Sequence, residues 1–142
     1  MQLQLAVSNR DALECILEDR SFLVPAAAIT RVIECEIVAL PLARQTIAGI
    51  GVHERSVLLA LRPFAGAQQE PRRRVTLALL EHSHPRCRVG LEVERVGSIV
   101  RVPRLGARVG PWALDAQTED GRSLPWLLVE EMLQELGAGA AT

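Results

Sequence analysis

Short apolar runs separated by turn signals, with one helical segment at the end, mark this chain as an all-β protein of barrel type carrying a C-terminal helix. Two observations carry that reading. Between Leu13 and Val102 the apolar runs either alternate with a period of two or are rich in β-branched residues, and both patterns favour extension. Only the tail from Pro125 onward repeats its apolar residues at helical spacing. The 142 residues fit one domain, and 49% hydrophobic against 23% charged content is enough for a packed core.

Taken in order, "LECIL" (13–17) and "SFLV" (21–24) flank Glu18-Asp19-Arg20, a first hairpin with a short turn. After Pro25 the alanines of "AAAITRVIE" (26–34) begin a helical turn, and Ile29, Val32 and Ile33 return the chain to extension. Leu40-Pro41 closes that segment. "IAGIGV" (47–52) and "SVLLAL" (56–61) form a second hairpin about His53-Glu54-Arg55. "RPFAGAQQEPRRR" (62–74) reads as a loop, because two prolines, a glycine and a charge cluster break every periodicity. "VTLALLE" (75–81) and "RVGLEVERV" (88–96) are two further strands joined through "HSHPRC".

In the second of these, Val89, Leu91 and Val93 share one face. Gly90, Glu92 and Glu94 share the other, which assigns both carboxylates to a solvated side. The phase changes before Val96, and Gly97-Ser98 offers a place to bend. No element is assigned between Val102 and Gly121. A strand residue or two at Ser123-Leu124 precedes a helix over Trp126 to Leu136. Trp126, Val129 and Leu133 are its buried face, and Gly137 its stop.

A net charge of −1 argues against a protein dedicated to holding nucleic acid. All sixteen basic residues are arginine. The aromatic residues are Phe22, Phe64, Trp112 and Trp126, too few for a stacking platform. The amino terminus lacks the basic and apolar regions of a signal peptide, and no window approaches about 18 apolar residues, so no membrane insertion is expected. Cys15, Cys35 and Cys87 are odd in number and widely spaced, as in a reduced, cytoplasmic protein.

The motifs of catalysis are missing. There is no G-x-S-x-G, no phosphate-cradling glycine run with lysine, and no H-E-x-x-H. His82, His84 and Cys87 lie close together; a small metal-dependent enzyme could use them, but two histidines and a cysteine are a weak ligand signal and a polar turn is the preferred reading. Arg72, Arg73 and Arg74 suit either phosphate contacts in an SH3-like nucleic-acid-binding module or a solvated loop. The expectation is a binding module without enzymatic activity, cofactor or metal.

The order of the segments is informative. "FLVPAAAITRVIE", "VALP", "IAGIGV" and "VLLAL", then a loop, then "VTLALLE" and "RVGLEVERVGSIVRV", resemble the CheW-like family. Gly90 stands at that family's glycine and Glu94 at its aspartate in the G-x-x-V-D-x-V strand. Gly49 stands at the glycine that opens its hairpin, and "GRSLPWLLVEEML" is similar to its closing strand and helix. The resemblance runs over residues 13–136, leaving 1–12 and 137–142 as terminal segments. It implies one domain of two intertwined five-stranded SH3-like β-barrels with a C-terminal helix. It also implies a cytoplasmic adaptor of a chemosensory system. The implied partners are the regulatory domain of a CheA-type histidine kinase, the cytoplasmic tip of a chemoreceptor, and other CheW-like proteins.

Within that resemblance the charges differ. An ungapped match sets Arg31 where glutamate is common, Glu54 at the hairpin arginine, Arg55 at the next glycine and Arg62 at an aspartate. A shift of one residue returns Arg55 to the arginine position, so two hairpin registers stay open. The protein-binding residues so implied are Ile29, Val32 and Ile33 as an apolar docking edge, with Arg31, Glu54, Arg55 and Arg62 as its polar part.

Overall fold

A computed structural model describes residues 10–40, 44–64, 70–81 and 87–141. The chain divides into two compact units, one of Met1–Ala28 with Val96–Thr142 and one of Ile29–Arg95.

The second unit is a closed five-stranded barrel. Its strands are β3 (Ile29–Val38), β4 (Ile47–His53), β5 (Ser56–Leu61), β6 (Arg72–Leu80) and β7 (Cys87–Val93), in the order β3-β4-β5-β7-β6. Alternation fills it. Cys35, Ile37, Ala48, Leu58, Ala60, Val75, Leu77 and Leu79 form one buried cluster, and Ile33 packs against it. Two glycines let β3 and β4 cross closely. A Cβ at Gly51 would lie 2.5 Å from the Glu36 carbonyl oxygen, and one at Gly49 would lie 2.6 Å from that of Val38. Any larger residue there forces the strands apart.

In the first unit, β1 (Asp11–Leu17), β2 (Arg20–Pro25), β8 (Arg95–Arg101), β9 (Arg104–Gly110), β10 (Ala113–Gln117) and β11 (Ser123–Leu127) form one sheet, ordered β8-β1-β2-β11-β10-β9. β11 runs parallel to β2 with Trp126 beside Leu23, and this joins the two ends of the chain. Ala12, Leu23, Val102, Ala116 and Trp126 are its buried cluster. A 3-10 turn over Ala26–Ala28 precedes β3, as the alanines suggested. Helix α1 (Val129–Ala141) closes the chain.

Both expected hairpins form, each with a two-residue turn rather than three. Leu17 pairs with Arg20 around Glu18-Asp19, and His53 with Ser56 around Glu54-Arg55. All four turn residues have positive φ, from 51° to 65°, which matches the right-handed twist of the flanking strands.

Several expectations need correction. Residues 72–74 are not loop but the start of β6, in register with Val38, Ile37 and Glu36. Arg72 and Arg74 reach Glu36 and Glu34 diagonally at 3.8 Å, so their charge supports the ladder. β9 and β10 occupy the stretch left unassigned. Pro125 to Leu127 are extended, because they pair with Asp115, Leu114 and Ala113. The helix therefore begins at Val129. It runs through Gly137 to Ala141, where the neighbouring alanines favour continuation. Among its described residues Val129 and Met132 are buried, whereas Leu133 is half-buried.

Candidate functional site

The outer surface of the barrel unit carries the features that could receive a partner. Positions that point outward from β3, β4 and β5 should be polar if they only met water. Instead, Val38, Leu40, Val52 and Val57 are exposed, Val52 to 69%. Register makes them contiguous: Val52 lies opposite Val57, and Val38 opposite Ile50. With Glu36 and Gly51 they line an open groove of about 570 Å³.

The hairpin tip adds charge to this surface. Arg31 ion-pairs with Glu54, and Glu54 also faces His53 Nδ1 at 3.4 Å and Arg88 at 3.8 Å. One carboxylate thus gathers three basic side chains just beyond Val52. Arg55 is exposed at the same turn. Val32 stands on the outer face of β3, Ile29 is half-buried, and Ile33 turns inward onto the core. Ile33 is corrected accordingly: strand alternation sends it to the interior with Cys35 and Ile37.

Arg62 is the larger correction. It is 1% exposed and cannot belong to a contact surface. Glu92, assigned to a solvated face, is 5% exposed. It lies opposite Leu77 on the barrel's inward side. Arg73 grips it with two hydrogen bonds of 2.7 and 2.8 Å, and Arg62 Nη1 stands 3.7 Å from it. Two guanidiniums and one carboxylate therefore occupy the interior of one barrel. Arg73 is engaged here, and Arg72 and Arg74 face Glu36 and Glu34, so the three arginines form a strand's ion pairs.

The sequence reading missed Val38, Leu40, Val52 and Val57. Part of their signal was present as two valines, Val52 and Val57, placed symmetrically about "HERS". Among the described residues no three metal-ligating side chains come together. His82, His84 and the Cys87 side chain lie outside what the structure describes. Cys15 and Cys35 are free and buried, and burial pushes the Cys15 thiol up to about 12, which leaves it protonated and inert. Among the described residues no helix is long and apolar enough to cross a membrane.

No family model and no curated protein matches the chain. Among solved structures it is similar to the scaffolding protein TtCheW from Thermoanaerobacter tengcongensis. Identity is 13% and the TM-score 0.63, over 84% of this chain and 88% of that one. The fold is CheW-like.

Proposed function

We propose that this chain is a non-catalytic adaptor of a chemosensory signalling system. It couples chemoreceptors to a CheA-type histidine kinase or modulates that coupling. Its partners in this reading are the kinase's regulatory domain, the cytoplasmic tip of the receptor, and other CheW-like proteins, all in the cytoplasm. Residues 13–136 act as one domain of two barrel subdomains. The observation that carries the reading is the likeness to a scaffolding protein over most of both chains. The exposed apolar groove beside a charged hairpin tip supports it. A protein that works by docking needs a dry centre with a polar rim, and Val38, Val52 and Val57 beside Arg31, Glu54 and Arg55 have that arrangement.

Ile29 and Val32 extend the proposed docking edge along β3. The groove valines join it as residues the sequence reading did not include. The test is reconstitution. Receptor cytoplasmic fragments and the CheA-type kinase of the same cell are mixed with and without this protein, and co-sedimentation and autophosphorylation are followed. Recruitment of the kinase to receptor, or a changed rate of autophosphorylation, is expected. No effect on either would reject the adaptor role.

A further inference from the structure

We infer that the free edge of β8 is a second docking site, one that takes an extended, acidic segment of a partner protein as an added strand. This rests on the first unit alone and not on the chemosensory reading.

β8 ends the sheet order. Among the described residues it has a ladder neighbour only in β1. Residues 95–99 are all exposed, with Ile99 at 57% on one face and Val96 at 37% on the other. An edge strand presents unpaired N–H and C=O groups that template another strand, and proteins usually blunt such edges. Here the accessible edge ends at Arg101, whose carbonyl accepts from the Glu119 N–H.

Charge says which strand fits. Every carboxylate side chain lies among the described residues. Most described arginines face one: Arg31, Arg62, Arg72, Arg73, Arg74, Arg88, Arg108 and Arg122 all do. Arg101 and Arg104 make no ion pair among the described residues, and neither does Arg10, whose carbonyl accepts from Val102 N–H at the corner after β8. Three arginines without an ion pair among the described residues thus have their backbones near the corner at the C-terminal end of this edge.

Alternation puts Ile99 and Arg101 on one face, the face on which Gly97 covers Glu14. The complementary strand carries an apolar residue opposite Ile99 and a carboxylate opposite Arg101, with further carboxylates beyond the strand's end toward the corner that leads to Arg104. A second copy does not fit, since self-pairing of β8 sets Arg101 against Arg95 or against another Arg101. A long polyanion fits poorly as well. The unit holds six arginines against ten carboxylates and is acidic as a whole.

The experiment uses the full chain and two synthetic peptides of about ten residues, alternating Ile/Val with Thr. One ends in three aspartates and the other in three lysines. Fluorescence anisotropy reads affinity, and amide exchange reads which strand gains protection. The acidic peptide is expected to bind, to protect β8, and to weaken by roughly tenfold or more in Arg101→Glu/Arg104→Glu, which gains the lysine peptide. Arg104 is exposed and Arg101 half-buried, and neither gives up an ion pair among the described residues, so circular dichroism is expected to be unchanged. Equal binding of both peptides, no binding of the acidic one, or protection away from β8 would overturn the inference. A single-stranded oligonucleotide that competes equally at β8 would overturn it in favour of a general polyanion site. Kinase binding is read in parallel, and its loss or retention bears only on the adaptor reading.

Discussion

At the scale of single residues, the interior ion pairs decide most. Glu92 holds Arg73 through two hydrogen bonds and stands beside Arg62, with all three largely out of water. Removing one partner from such a group leaves buried charge uncompensated. Glu92→Ala is therefore expected to destabilise the protein by about 3–5 kcal/mol in urea unfolding. Replacing all three by apolar residues of similar volume is expected to be close to neutral. A loss below about 1 kcal/mol for Glu92→Ala would show that the group is solvated after all. The sequence could not reveal this. Arg62 follows an apolar run as its only charge and Glu92 sits on a strand with other charges, and only closure of the barrel puts them on one side of it.

The Arg31–Glu54 pair teaches a related lesson. The resemblance gave both positions reversed charge, and the structure makes them each other's partner. Exchanging them, as Arg31→Glu/Glu54→Arg, keeps an exposed ion pair and is expected to change stability by less than about 1 kcal/mol. If the pair rims the docking surface, that exchange strengthens binding to a conventional CheA regulatory domain and weakens it for the cognate one. Equal binding by both forms to both partners would place the pair outside any interface.

At the scale of elements, hairpins were legible and edges were not. "EDR" and "HER" lack the Asn-Gly that favours a tight hairpin turn, yet the apolar runs on either side fixed both positions. The turns hold Glu, Asp and Arg at positive φ, where a side chain is strained. Glu18→Asn/Asp19→Gly is expected to raise stability by about 1–2 kcal/mol, read as a higher urea midpoint. An unchanged or lower midpoint would argue that the turn is not strained. β9 was invisible because "RLGARVG" is an exposed edge strand with no buried alternation to read.

Helix α1 is fixed by Met132 in the core, by the Trp112 indole N–H donating to Glu135, and by Arg108 holding Glu131 at 2.9 and 3.1 Å. Met132→Ala is expected to cost about 2–5 kcal/mol, and the half-buried Leu133→Ala clearly less. The reverse ranking would mean that the helix face is rotated. The hydrogen bond from Arg108 holds the Glu131 carboxyl below its ordinary value of 4.5. That contribution is fully present above pH 4.5 and is lost as the pH falls through the depressed value. The opening equilibrium of α1, read from amide exchange corrected for its intrinsic rate, should accordingly rise only in acid, and an Arg108→Ala variant should lack that acid step.

At the scale of the whole molecule, the order of apolar segments carried the CheW-like resemblance, and the likeness to a solved scaffolding protein agrees with it. Segment order is preserved because each barrel strand must keep its place for the core to close. Surface residues carry no such constraint. The proposed docking face was therefore only partly legible: Arg31, Val32, Glu54 and Arg55 are exposed, whereas Ile33 and Arg62 are spent on the interior. The valines of the groove lie within apolar strand runs, which gave no sign of their exposure. Their exposure is the strongest physical reason to expect a partner there.

The most direct test of the adaptor account is calorimetric titration of the cognate CheA-type regulatory domain into the wild-type protein and into Val52→Asp/Val57→Asp. Both valines are exposed, so the variant should keep its unfolding midpoint. Two charges buried in a dry contact should weaken binding by about 2–5 kcal/mol, a loss of tenfold to a few thousandfold. Wild-type binding that the paired aspartates leave unchanged would contradict the proposed docking surface, and no binding by the wild type would contradict the adaptor itself.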